Sequence, residues 1–188
     1  MLNAEQILEQ GLVKTEFSKG KPAQVGYDLS AKSINRIGLP SDQETFINDR
    51  LKNLGVETSR PNIGMVLKDK TILNNYTPVQ TTKIDGVEGW LLYPGAYDVT
   101  FHEGCKISAN RVGLIRQRSS LLRNGAIIAS SVFDPGFETE NMGTIMIVNA
   151  TIFIEKDARV GQMYFHECDA VSEENLYNGQ WQNDKQRQ

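Results

Sequence analysis

The chain has 188 residues, of which 39% are apolar and 23% charged, and a formal net charge of -3. That length suits one domain with a buried core and is short for two. The balanced charge lacks the basic stripe that binding to DNA or RNA requires. No run reaches the ~18 apolar residues of a membrane helix. The opening MLNAEQILEQ has neither the charged segment nor the apolar run of a secretory signal. The two cysteines, Cys105 and Cys168, are too few for a disulfide framework, so the reading is a reduced, cytoplasmic protein.

Along the chain, residues 4–11 predict a short amphipathic helix closed by Gly11. A Gly/Lys-rich loop follows, FSKGKPAQ, and then a short extended segment, VGYDLSA. The spacing predicts a helix over 41–54. Ser41 and Glu44 form a capping box behind Pro40, Ile47, Leu51 and Leu54 share one face, and Gly55 ends it. Residues 59–85 are polar and carry few signals. From Gly89 onward seven short apolar or alternating runs are broken by Gly, Pro, Asn or Asp: WLLYPG, YDVTFHEG, RVGLIRQ, AIIASSVF, GTIMIVN, TIFIEK and RVGQMYF. Such punctuation predicts an all-β barrel or sandwich. The tail from 171 to 188 is acidic and then Gln/Asn-rich, and is expected to be mobile.

Four segments hold the polar chemistry. They are Val25-Gly26-Tyr27-Asp28-Leu29-Ser30-Ala31, Gln117-Arg118-Ser119-Ser120-Leu121-Leu122-Arg123-Asn124-Gly125, Phe133-Asp134-Pro135-Gly136-Phe137, and Ala158-Arg159-Val160-Gly161-Gln162-Met163. Arg118, Ser119, Ser120 and Arg123 bring guanidinium groups and hydroxyls into one compact turn, the kind of donors that hold an anionic polyphosphate. Alone, the two arginines would read as surface charges and Asp134 as an ordinary Asp-Pro-Gly turn residue. In this order, the four segments resemble the trimeric dUTPase and dCTP deaminase superfamily, and the resemblance covers most of the chain.

The resemblance implies a mainly β fold: a distorted jelly-roll barrel with one or two short peripheral helices, forming a single domain over 1–188. It implies a pyrimidine deoxynucleoside triphosphate as substrate, Mg²⁺ as cofactor and a homotrimer with active sites between subunits. Asp134 would activate the attacking water. Arg118, Ser119, Ser120, Arg123 and Gln162 would hold phosphates, and Asp28 would act on the metal through water. Residues 171–188 would close as a lid, with Tyr177 or Trp181 stacking on base or sugar.

The family's deaminases place a Glu five residues beyond a Gly on the strand after the Asp turn. Here that count runs from Gly143 to Val148, and the strand has no carboxylate. Hydrolysis of dUTP to dUMP and pyrophosphate is therefore the expected activity, although the tail and N-terminal helix are deaminase-like. Two alternatives stay open: dCTP deamination with Glu138 or Glu140 from the long loop 138–142 replacing the missing acid, and a nucleotide-binding regulator without turnover. A competing metal reading joins His102, Cys105, His166 and Cys168 in a tetrahedral zinc site, although their spacing fits no standard zinc module.

Overall fold

The computed structural model describes residues 1–38, 65–68, 71–74 and 76–184, the two four-residue stretches as backbone strands. The helix expected over 41–54 lies outside the described residues.

The N-terminal helix α1 (Ala4–Glu9) forms where expected. Asn3 caps it reciprocally: the Asn3 side chain accepts from the Gln6 N–H, and the Gln6 side chain accepts from the Asn3 N–H. Ile7 and Ala4 are its buried face, and Gly11 leaves the helix at a positive φ of 61°. A second helix, α2 (Ser119–Arg123), is a single turn that takes up the Arg-Ser-Ser segment.

The strands in chain order are β1 (Val13–Lys14), β2 (Lys21–Pro22), β3 (Tyr27–Ile37), β4 (Met65–Lys68), β5 (Thr71–Asn74), β6 (Tyr76–Pro78), β7 (Thr82–Ile84) and β8 (Val87–Leu92). They continue with β9 (Gly95–Phe101), β10 (Gly104–Lys106), β11 (Arg111–Gln117), β12 (Ala126–Ala129), β13 (Glu138–Thr139), β14 (Gly143–Val148), β15 (Ile152–Glu155) and β16 (Arg159–Glu167). The main sheet runs β11-β16-β3-β9-β14-β12, with β2 and β6 added along β3, and all its pairings are antiparallel. Contacts between β11 and β12 bring its two ends together, so the sheet is a nearly closed barrel. Smaller sheets, β1-β10-β13 and β15-β8-β7, flank it.

All seven runs after Gly89 contain strand, though several are strand only in part. In AIIASSVF only Ala126–Ala129 pair continuously, and the run ends in an isolated bridge from Phe133 to Gly113. The expected short segment VGYDLSA is the start of the longest strand, β3. Its first half pairs with β16 and its second with β9, and the register shifts between Ala31 and Ser33 where the partner changes. Inside the barrel, Leu29, Tyr97, Val99, Phe101, Ile115, Met146, Met163 and Phe165 are at most 2% exposed. Alternation along each strand sends the residues between them to the outer face, where the polar groups lie.

Candidate active site

The turn carrying Asp134 is held by backbone geometry. Phe133 and Gly113 exchange two N–H···O bonds of 2.9 Å. A Cβ on Gly113 would sit 2.3 Å from the Met163 Cε, so that side chain would have to move to admit one. Pro135 and Gly136 occupy the centre of a type II turn: Gly136 has φ +86°, and the Phe137 N–H donates to the Asp134 carbonyl at 3.0 Å. Phe137 packs edge-on between Phe133 and Tyr177, at ring separations of 5.5 and 5.3 Å. The carboxylate of Asp134 thus stands exposed on a rigid support, with no ion pair among the described residues.

The tail lies against this turn. The Tyr177 N–H donates to the Pro135 carbonyl at 2.8 Å, Gln182 Nε2 donates to the Gly136 carbonyl at 3.0 Å, and the Glu138 N–H donates to Gln182 Oε1 at 3.1 Å. Asp134, Phe137, Tyr177 and Trp181 share a cleft of about 930 Å³. Lys32, Asn35, Asp98 and Thr144 line it too.

The arginine turn is built elsewhere. Arg118 leaves β11 with its N–H donating to the Val160 carbonyl at 2.9 Å. Its Nε lies 3.2 Å from Asp28 Oδ2, and Arg159 Nη1 lies 3.0 Å from the same oxygen. Asp28 is 5% exposed, so this carboxylate is buried between two guanidinium groups. Ser119, Ser120 and Arg123 are exposed, and Ser120, Arg123 and Arg159 line a second cleft of about 670 Å³. Gln162 sits opposite Asp28 on β16 and donates to the Val25 carbonyl at 2.6 Å. Among the described residues, the two clefts share no lining residue.

The structure therefore sorts the residues singled out from sequence into two groups. Asp134, Tyr177 and Trp181 come together on one cleft. Arg118, Ser120, Arg123, Gln162 and Asp28 belong to the surface around the arginine turn, with Ser119 at the start of α2. The residues considered for deamination are turned away. Glu138 pairs with Lys14 at 2.7 Å and with Lys106 at 3.7 Å, and Glu140 also pairs with Lys14, while Thr139 and Asn141 line the cleft. The Lys14 ammonium holds the Glu138 carboxyl below its ordinary range, against partial burial, which acts the other way. Burial alone would lower the Lys14 ammonium, but its hydrogen bonds to the two glutamates hold it above its ordinary value. On β14, Val148 is 2% exposed and pairs with Ala126 and Gly95, and the cleft is met by Gly143, Thr144 and Ile145 instead.

The zinc reading finds no support. His102 Nε2 lies 2.7 Å from Asp157 Oδ1, His166 packs edge-on to the Tyr164 ring at 5.5 Å, and Cys105 is buried beside β1 and β13. No group of three or more His, Cys, Asp or Glu among the described residues is placed to hold a metal.

Two residues escaped the sequence reading, and a third, quoted within a motif, was given no role. Asp98, 6% exposed, lines the Asp134 cleft and accepts from Asn35 Nδ2 at 3.4 Å. Alternation on YDVTFHEG sets it on the face opposite Tyr97 and Val99, which was a usable signal. Glu103 is fully buried and accepts from Ser18 Oγ, the Lys19 and Gly20 N–H groups, and the N–H and Oγ of Ser30. It thereby ties the Gly/Lys loop to β3. Arg159 is the third, and no periodic count would have placed it. The register of β16 against β3 shifts between Arg159 and Gly161, so Arg159 lies opposite Ser30. A regular ladder from the Gln162–Asp28 pair would set it opposite Ala31, on the barrel's inner face.

Comparison with known proteins agrees with this architecture. A family model described as dCTP deaminase-like matches residues 4–168. A deoxyuridine 5'-triphosphate nucleotidohydrolase of Methanocaldococcus jannaschii is 37% identical over 113 residues, 59% of this chain and 70% of that protein. A probable deoxyuridine 5'-triphosphate nucleotidohydrolase of Methanosarcina mazei is 34% identical over 101 residues, 53% of this chain; the match spans 58% of that relative's length. The crystal structure of a 2'-deoxycytidine 5'-triphosphate deaminase from Agrobacterium tumefaciens is similar in fold, with a TM-score of 0.52 and 13% identity over 87% of this chain and 46% of that one. The chain belongs to the dCTP deaminase-like family, within the superfamily of dUTPases and dCTP deaminases. Among the described residues, no helix is long and apolar enough to cross a membrane.

Proposed function

We propose that the chain hydrolyses dUTP to dUMP and pyrophosphate, with Asp134 as general base. The observation that carries this reading is the state of its carboxylates. Glu138, Glu140 and Asp28 are each tied to cations, whereas Asp134 stands on a rigid turn with no ion pair among the described residues. A base must have a lone pair to spare for the proton of the attacking water. Water oxygen attacks the α-phosphorus, the bond from that phosphorus to the α–β bridging oxygen breaks, pyrophosphate leaves, and Asp134 takes the water's proton. The similarity to the Methanocaldococcus and Methanosarcina deoxyuridine 5'-triphosphate nucleotidohydrolases supports the same chemistry.

Arg118, Ser119, Ser120, Arg123 and Gln162 bind the phosphates through charge-assisted and hydroxyl hydrogen bonds. Tyr177 and Trp181 offer flat surfaces to base or sugar, and the tail from 171 closes over them as a lid. The separation of the two clefts on one chain supports a homotrimer, in which Asp134 of one copy faces the arginine turn of another. Mg²⁺ would be bound mainly by phosphate oxygens and water. Both guanidinium contacts to Asp28 fall on Oδ2, so Oδ1 is the oxygen to accept from a metal-bound water. When bound, Mg²⁺ would offset charge on the phosphates in the transition state. The two free cysteines fit a cytoplasmic location.

The test is to incubate the protein with dUTP and dCTP, with and without Mg²⁺, and to follow pyrophosphate and ammonia. Mg²⁺-dependent pyrophosphate from dUTP is the expected result; binding without product would make the chain a regulator. Mixing an Asp134→Asn chain with an Arg123→Ala chain examines the shared site. Random trimers would regain about a quarter of the wild-type sites if the two groups act across subunits, and none if they act within one. One observation favours deamination as a second reading: Asp98 is a buried acid in the Asp134 cleft. Ammonia from dCTP, lost in Asp98→Asn, would establish it.

A further inference from the structure

Asp28, Arg118 and Arg159 form a three-member charge cluster with a net charge of +1. Asp28 is 7% exposed at its side chain, against 32% for Arg118 and 29% for Arg159. The acid is thus the buried member, and the two cations face outward. If Arg118 alone met Asp28, the pair would be neutral and would draw a phosphate only weakly. The second guanidinium restores the charge that Asp28 removes. It also fixes Arg118 in space. Arg118 Nε is held by Asp28, and its Nη1 donates to the Arg159 backbone carbonyl at 3.3 Å, which commits two corners of the planar group. Arg159 reaches this face because of the bulge in β16, a device that re-aims a side chain. Its side chain lines the same cleft as Ser120 and Arg123, where Glu155 is the opposing charge.

We propose that Arg159 is a positioning residue for polyphosphate binding: it offsets the charge of Asp28 so that Arg118 keeps a full positive charge for the phosphates. This rests on the reading of Arg118 as a phosphate-binding residue, and on nothing about the base or the hydrolytic step. The probe is inorganic pyrophosphate, titrated calorimetrically in the presence of a chelator, so that metal binding plays no part. Arg159→Gln is expected to weaken pyrophosphate binding about 10- to 100-fold, the effect of losing a charge-supported contact. Arg159→Lys keeps the charge and should stay within about threefold of wild type. The decisive variant is the double replacement Asp28→Asn with Arg159→Gln. It removes one charge of each sign, returns the cluster to +1 and should recover most of the lost affinity.

A merely structural role for Arg159 predicts the opposite, because the double variant would be at least as impaired as the single one. Thermal melting of each variant identifies one that fails to fold, and the lysine and double variants still decide the case. In the enzyme assay with Mg²⁺, Arg159→Gln should raise KM while kcat changes by less than about threefold. Unchanged pyrophosphate affinity in Arg159→Gln, or no recovery in the double variant, overturns the proposal. A wild-type protein that binds pyrophosphate in this charge pattern yet never cleaves dUTP overturns the hydrolase reading and leaves this one standing.

Discussion

Asp28 and Asp134, the two carboxylates the family resemblance singles out, differ in burial and in what holds them. Asp28 is buried on a central strand and locked between two guanidinium groups, whereas Asp134 is exposed on a turn fixed by Pro135, Gly136 and aromatic packing. One is immobilised by charge and the other by backbone. A carboxylate clasped by two arginines has an oxygen already engaged. A carboxylate held only through its main chain keeps its oxygens available.

The widest separation between the two regions is expected in turnover. Asp134→Asn should cut pyrophosphate release from dUTP by about a thousandfold, the scale of general-base loss, while nucleotide affinity stays within a few fold. Steady-state kinetics with a binding titration would check both, and full activity in this variant would end the comparison. Next, Arg123→Ala should act mainly through KM, by about 10- to 100-fold, since it removes a charge-assisted contact and leaves the base untouched. If kcat fell instead, the arginine turn would belong to the transition state alone.

Gly136→Ala probes the backbone side of the contrast. The new Cβ would face Leu176 Cβ at 2.8 Å and the Tyr177 nitrogen at 3.1 Å, at a φ of +86°. A stability loss of about 1–3 kcal/mol is expected, with the tail displaced from the turn. A calorimetric melt and the accessibility of Trp181 to a fluorescence quencher would register both effects.

The smallest effect concerns the loop 138–142. Glu138 has its carboxyl held below the ordinary value of 4.5, so its contribution to stability is present above that value and is lost as pH falls through the lowered one. Lys14 is held above 10.5, so its contribution is present below that value and is lost as pH rises through the raised one. Glu138→Gln should therefore cost at most about 1 kcal/mol at neutral pH, and nothing at a pH below the lowered carboxyl range. Melting curves of both proteins from pH 2.5 to 7 would show the two converging in acid.

Much of the fold was legible because its signals are local. Seven apolar runs broken by turn residues became largely strand, and the short amphipathic pattern became the first helix. Strands with weak alternation were not legible. The segment 76–84, read as irregular, contains β6 and β7, whose pairing with β3 and β8 supplies what their own residues do not. Part of the site was legible too, since Arg118–Arg123 and Asp-Pro-Gly are contiguous groups. That Glu138 and Glu140 face lysines, and that Thr144 rather than Val148 meets the cleft, depended on where distant strands pack.

By itself the sequence determined the strand-rich character after Gly89, the residue types of each motif and the absence of an acid on β14. All of these follow from residue identity and short-range periodicity. Only the tertiary structure decided which carboxylate meets which cation. Asp28 and Arg159 stand 131 positions apart in the chain and touch because β3 and β16 pair there. One extra residue in β16 then turns Arg159 outward, since a side-chain period of two reverses face with every added position.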